Sequence, residues 1–411
     1  MNDLSLQLPR IESVSIRGFR SLANIENLKL PQLTVLIGAN GSGKSNFIRF
    51  FEMLGWMLHG QNLQKFIVRS GGGDDQLFMG ARITPTMDAE IRLATDLGYC
   101  DYRFSLEHVT AGDKLIFVDE ACRYIAGWGS NSAEKWFSAF QENGTGDWYE
   151  LDSGNQETSI VNLIKKPALF GAIQSNVVKT YIPEGMRPIY SAAMLIQTLR
   201  QGTIFQFHDT SEKAYIRLSW DARDNAWLRP DGANVAPILL RLREQDITRY
   251  KLIVRQISRV LPAFDDFILQ PTEAGKVQLR WQGKYSDKTF GAHLTSDGSL
   301  RLFCLLTLLN LPKDMLPEVL ILDEPELGLH PHAITLISAM LKRLAHDRQI
   351  IIATQSPYMV DCFELENVIV ADLKDGATSL RTMPREQYQE WLDDEYQVSD
   401  LWLKEAIGGG A

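Results

Sequence analysis

Eight consecutive residues, Gly38-Ala39-Asn40-Gly41-Ser42-Gly43-Lys44-Ser45, fit the pattern G-x-x-x-x-G-K-S. Small residues at this spacing let backbone N–H groups close around phosphate oxygens at a helix N-terminus. Lys44 would then reach the β- and γ-phosphates of ATP, and the Ser45 hydroxyl would ligate Mg²⁺. Far along the chain, Val319-Leu320-Ile321-Leu322-Asp323-Glu324 is an apolar run ending in two carboxylates. There Asp323 would hold the same Mg²⁺ through water, and Glu324 would polarise an attacking water as general base. A glycine-rich turn or an exposed acidic strand end would explain either motif alone. Together they point to ATP, Mg²⁺ and hydrolysis.

Such chemistry needs a strand before the loop and a helix after it, and the flanks supply both. Residues 11–19 alternate apolar and polar with period two, and 33–37 form a short apolar run into the glycines. Phe47, Phe50, Leu54 and Met57 recur at helical intervals over 46–59. Strand-like stretches at 88–95, 102–108 and 114–118 are separated by polar turns and predict an antiparallel sheet beside the first unit. Residues 128–155, rich in glycine, serine, asparagine and aromatics, read as an irregular insertion. The pattern is helical over 236–261 and 300–309. Runs at 319–322 and 349–353 are of the buried parallel-strand kind, with a helix over 333–345 between them. The expected fold is α/β.

Between the two motifs lies Leu294-Thr295-Ser296-Asp297-Gly298-Ser299, in itself a helix N-cap and turn. In this order of motifs it resembles the signature of ABC-type ATPases in its SxG form. Ile16-Arg17-Gly18-Phe19-Arg20-Ser21 is similar to the N-terminal strand of RecF, SMC and OLD-type members. Asp323-Glu324-Pro325-Glu326-Leu327-Gly328-Leu329-His330-Pro331 resembles the Walker B and D-loop of OLD-like bacterial ATPases, and Ala353-Thr354-Gln355-Ser356-Pro357 stands at the switch.

The resemblance implies a P-loop NTPase of ABC type with a mixed or parallel core sheet, an antiparallel β subdomain and a helical subdomain carrying the signature. The corresponding division of the chain is 1–125, 126–290 and 291–411. It implies ATP sandwiched in a homodimer or higher even oligomer, with Ser296 and the Gly298 backbone of one copy capping the γ-phosphate held by the other. Arg20 joins the nucleotide-binding residues, Gln355 the catalytic ones, and Gln76 is the Q-loop candidate for Mg²⁺, nearer the P-loop helix than in transporters. Gln355 stands where many ABC enzymes have histidine. A glutamine can orient water but cannot carry a proton charge, so hydrolysis is expected to be slow.

The chain contains no long heptad run, unlike SMC and Rad50-like proteins, and only a short segment follows the switch where OLD nucleases carry a Toprim domain, so no nuclease activity is expected in the chain itself. Glu390, Asp393, Asp394 and Glu395 read as a solvated acidic helix face. Stand-alone ATPases of this kind pair with a separate effector such as a nuclease in anti-phage defence, or serve DNA repair. With 411 residues, 45% hydrophobic and 23% charged, the composition is that of a globular protein. A net charge of -9 argues against bulk coating of nucleic acid. Lys251, Arg255 and Arg259, four apart after Arg241, Arg243 and Arg249, could still meet DNA or an acidic partner. Their alternative is a solvated face balanced by Glu244, Asp265 and Asp266. Four scattered cysteines, the absence of a long apolar run and an N-terminus unlike a signal peptide favour the cytoplasm over a membrane.

Overall fold

The computed structural model describes residues 9–59, 62–126, 137–138, 157–161, 187–199, 203–389, 391, 396–404 and 406–409. Two sheets organise it. The first is antiparallel and is built from β1 (Arg10–Phe19), β2 (Leu22–Lys29), β4 (Thr86–Thr95), β5 (Gly98–Val109), β6 (Lys114–Ala126) and β7 (Phe137–Ser138), in the order β2-β1-β4-β5-β6-β7. Its strands carry the period-two pattern expected of one packed face: Met87, Ala89, Ile91 and Leu93 of β4 are all buried. The second sheet runs β17-β16-β3-β15-β14-β8, from β3 (Leu33–Ile37), β8 (Ile204–Phe205), β14 (Val319–Asp323), β15 (Gln349–Ala353), β16 (Val368–Lys374) and β17 (Ala377–Thr382). All its pairings are parallel except β16 with β17.

The second sheet separates two apolar cores, which explains why β3, β14 and β15 are continuous apolar runs. On one side Leu36, Ile321, Ile351 and Ile369 meet the antiparallel sheet, α1 (Lys44–Leu58), α2 (Leu63–Arg69) and α3 (Arg187–Thr198). On the other, Val35, Leu322, Ile352 and Val370 meet α4 (Val235–Gln245), α5 (Ile247–Val260), α6 (Asp297–Leu308), α7 (Pro331–Leu344), α8 (Pro357–Val360) and α9 (Val398–Leu403). Short strands β10 (Phe264–Phe267), β12 (Arg280–Gly283) and β13 (Ser286–Gly291) form a small sheet, and β9 (Trp220–Asp221) pairs with β11 (Lys276–Val277).

The helical pattern over 236–261 proves to be two helices. Asp246 breaks it with φ -143° and caps α5 by accepting a bond from Arg249 N at 3.0 Å. Lys251, Arg255 and Arg259 are exposed along α5. The preceding arginines are engaged within the chain: Arg241 with Gln245 and the Asn225 carbonyl, Arg243 with Leu269 O, and Arg249 with Asp246 and Asn310 O. Of the insertion at 128–155 only Phe137–Ser138 is described, and Glu390, Asp393, Asp394 and Glu395 lie outside the described residues. Among those described, no helix is long and apolar enough to cross a membrane.

The strand expected at 114–118 continues to Ala126 and carries Glu120, which is 2% exposed. Its carboxylate accepts from Tyr102 Oη, the Thr158 hydroxyl, Ser159 N and Ile160 N, fastening residues 158–160 to the sheet. Burial nevertheless raises its pKa above the ordinary carboxylate value. The folded state therefore bears a charge penalty that is absent below the ordinary carboxylate range and grows as pH rises through it. Glu120→Gln removes that penalty but turns an NH₂ toward donors. The net loss expected at neutral pH is about 1–3 kcal/mol in urea unfolding, growing as pH falls through the carboxylate range because the parent sheds a penalty that the variant lacks.

Candidate functional site

At the C-terminal end of β3 the chain enters the loop and α1. Gly43, the N-cap of α1, has φ +100°, and a Cβ there would overlap the Thr378 side chain, so glycine is required on both counts. Thr378 Oγ1 in turn donates to Ser42 O at 2.9 Å and lies 2.8 Å from Ser21 Oγ, which also accepts from Asn46 Nδ2 at 2.7 Å. The loop is thus braced from β17 and from the turn after β1. Lys44 Nζ donates to Gly38 O at 2.7 Å and Ala39 O at 2.9 Å, within the loop itself. Burial lowers the Lys44 pKa, opposed by the charges of Glu324, Asp323 and Glu326. Asn40, Gly41 and Ser45 are exposed.

Strand β14 delivers the carboxylates. Burial raises the Asp323 pKa, with His208 and Lys44 opposing and Glu324 reinforcing. Glu324 follows in the left-handed region with φ +45°, unusual for a side chain of its size and characteristic of strained functional turns. Its Oε1 accepts a short bond from Gln355 Nε2, so the switch glutamine of β15's end does meet the expected general base. Glu326 lies behind them, its pKa raised by burial; Oε1 accepts from the Thr354 hydroxyl and from Gln355 N at 3.2 Å. It orients the switch.

Ser296, Gly298 and Gln76 stand apart from this cluster. Ser296 caps α6 through Ser299 N at 3.3 Å and is exposed, and its hydrogen bonds stay within its own turn rather than reaching the loop at 38–45. Gly298 packs on the turn after Glu324: a Cβ would stand 2.4 Å from Gly328 O, so only glycine permits that approach. Gln76 is fully buried and fully engaged. Its Oε1 accepts from Arg20 Nε and Nη2 at 3.0 and 2.8 Å, and its Nε2 donates to Ser70 O and Gly72 O at 2.9 and 3.0 Å. All four of its bonds are thereby used within the chain. Arg20 has φ +48° and holds this buried amide.

The glutamine that adjoins the Asp323 carboxylate is Gln206, just past β8. Its Nε2 donates to Asp323 Oδ2 at 2.9 Å, while His208 Nε2 donates to Asp323 O at 3.0 Å. Arg301 of α6 ties this stretch to the signature helix, donating to Phe207 O, His208 O and Leu327 O at 3.1, 3.0 and 3.2 Å. Gln206, His208 and Arg301 carry no local motif; the signal was the short strand 204–205 followed by an amide. Gln206→Ala is expected to weaken Mg²⁺ dependence about tenfold or more, as outer-shell losses do, in a metal titration of nucleotide binding. Gln76→Ala should leave that titration unchanged and lower stability instead.

The donors fit Mg²⁺ brought in by a nucleotide. Ser45, Asp323 and Gln206 are hard oxygen ligands or their neighbours, and among the described residues no cluster of three or more histidine, cysteine or acidic side chains could hold a metal alone. The buried Ser42 Oγ has no hydrogen-bond partner, as befits a loop shaped for phosphate oxygens.

Residues 10–66 match a family described as an AAA ATPase domain, and residues 206–361 one described as an AAA domain, putative AbiEii toxin, type IV TA system. An SMC head bound to the C-terminal winged-helix domain of ScpA is 14% identical, with TM-score 0.54 over 92% of this chain and 99% of that one. An SMC head with an extended coiled coil bound to the C-terminal domain of ScpA, derived from Pyrococcus furiosus, is 13% identical, with TM-score 0.53 over 94% and 100%. No curated protein matches the chain. Fold and motifs together define an α/β P-loop ATPase of the ABC type. Among solved structures its fold is similar to that of SMC heads.

Proposed function

We propose that the protein hydrolyses ATP slowly at sites shared between two copies, and that closure of this dimer is a switch read by a separate effector. The observation that carries the reading is the division of the site. Lys44, Asp323, Glu324 and Gln355 act on one another within a chain, whereas Ser296 bonds within its own turn, Gly298 packs on Gly328, and neither is bonded to any of them. A second copy would bring its Ser296 and the α6 N-terminus to the γ-phosphate, adding hydrogen-bond donors where negative charge collects.

The residues divide the work. Lys44 exchanges its two loop carbonyls for phosphate oxygens, and Ser45 and Asp323 with Gln206 would hold Mg²⁺, which neutralises developing charge on the phosphates. Glu324 Oε takes the proton of the attacking water once Gln355 releases it and orients that water. The Gln355–Glu324 bond must open first, which favours slow turnover and keeps a non-hydrolysing sensor as the second reading.

Since a nucleotide that binds only the closed form shifts the population toward it, ATP acts as a clamp. The similarity of residues 206–361 to a toxin–antitoxin ATPase family supports defence over repair, with a nuclease or DNA as the reader of the switch. Phosphate release and light scattering with ATP and Mg²⁺, with and without DNA, test the reading. ATP-dependent dimers with measurable release are expected; a monomer under all conditions would overturn it.

A further inference from the structure

Arg217 belongs to none of the nucleotide motifs, yet its guanidinium is buried against two segments that matter. It closes the 3-10 turn Tyr215–Arg217, and its side chain is 11% exposed. Nε and Nη2 donate to Thr210 O at 2.9 and 2.7 Å, and Nε also to Ser211 O at 3.1 Å. Nη1 donates to Ala292 O, in a short bond, and to Thr295 O at 3.4 Å, while Nη2 pairs with Asp297 Oδ1 at 2.9 Å. Thr295 and Asp297 are the residues on either side of Ser296. On the opposite flank, Thr295 Oγ1 accepts from the buried Trp281 Nε1 at 3.0 Å and donates to Gly291 O at 2.9 Å. The signature turn is thus gripped between a buried indole and one forked cation.

The far side of that grip leads to the metal carboxylate. Thr210 and Ser211 follow directly on Gln206 and His208, whose side chains hold the Asp323 carboxylate and carbonyl. From the side chain that would meet Mg²⁺ to the guanidinium that sets Ser296 the path is one short, hydrogen-bonded stretch of backbone. We propose that Arg217 is a positioning residue. It holds the Ser296–Gly298 turn in register with its own chain's nucleotide site, so that occupancy of that site sets the signature offered to a second copy. The inference rests on the shared-site reading.

The fork is what the geometry demands. Arginine presents five donors in a plane and meets carbonyls on two segments at once; a lysine keeps the charge and the salt bridge to Asp297 but not the fork. Arg217→Lys should therefore fail where a role in charge alone would let it succeed.

The test uses the full chain in a Glu324→Gln background, comparing Arg217→Lys, Arg217→Ala and Ser296→Arg. Each is measured for binding of a fluorescent ATP analogue at dilution and for ATP-dependent dimerisation by light scattering. Expected for both Arg217 variants is nucleotide affinity within about twofold of the parent and a dimer dissociation constant raised about tenfold or more, the scale of a coupling between two sites. The proposal is overturned if both Arg217 variants dimerise as the parent does while Ser296→Arg does not. It is equally overturned if nucleotide affinity at dilution falls in step with dimerisation, which would mark a general loss of structure. If Ser296→Arg itself dimerises normally, the shared-site reading fails and takes this inference with it.

Discussion

Glu324→Gln is expected to lower ATP turnover by about 10²–10⁴-fold, the usual contribution of a positioned general base, and to leave long-lived ATP-bound dimers. Glutamine has the shape of glutamate and can keep the hydrogen bond to Gln355 Nε2 through its carbonyl oxygen. It cannot accept a proton from water. Binding groups are untouched, so ground-state affinity should survive while the chemical step does not.

The competing base is Glu326, which is buried, has a raised pKa and leaves Oε2 without a partner. Two features set it behind Glu324. Its other oxygen is committed to Thr354 and to Gln355 N, and of the three carboxylates acting on Lys44 Glu324 exerts the largest effect and Glu326 the smallest. Glu326→Gln should therefore slow turnover less than Glu324→Gln by at least about tenfold. Steady-state phosphate release on the two variants decides between them. Equal losses would move the general base away from Glu324, and unaltered release from Glu324→Gln would remove it from the reaction altogether.

What could be read from the chain beforehand was whatever is contiguous. The loop at 38–45 and the run ending in Asp323-Glu324 each carry their chemistry within a few residues, and the alternating and continuous apolar patterns around them reflect one-faced and two-faced burial. Gln76 was the Q-loop candidate along the chain, and the structure shows it buried and hydrogen-bonded to Arg20. Gln206 reaches Asp323 only through the parallel pairing of β8 with β14, across 117 positions. Thr378 braces the loop from 336 positions away for the same reason.

The break at Asp246 was written in plain capping chemistry but was masked by helical periodicity on both sides. Glu120 interrupted the apolar rhythm of β6 and so shortened the strand expected there. Its burial is tolerable only because four donors converge on it from β5 and residues 158–160. In each case the missing information was a tertiary partner, which propensity and periodicity do not encode.

Lys44→Ala is expected to abolish nucleotide binding at concentrations that saturate the parent. Lysine meets phosphate oxygens as a point charge, and charge-assisted bonds contribute roughly 1.5–3 kcal/mol each. Two such bonds correspond to about 10²–10⁴-fold in affinity. The substitution carries a second effect with the opposite sign. Lys44 is 5% exposed and its pKa is lowered by burial, so the folded protein bears a cost for holding a charged ammonium there, relieved by the Gly38 and Ala39 carbonyls and by Glu324, Asp323 and Glu326. Alanine removes the ammonium but leaves three carboxylates facing one another with less opposing charge. Thermal stability of the variant without nucleotide should consequently change little, while the ATP-induced rise in melting temperature disappears. A Lys44→Ala protein still stabilised by ATP to the parent's extent would show that the nucleotide binds elsewhere, and the site built from residues 38–45 would lose its claim.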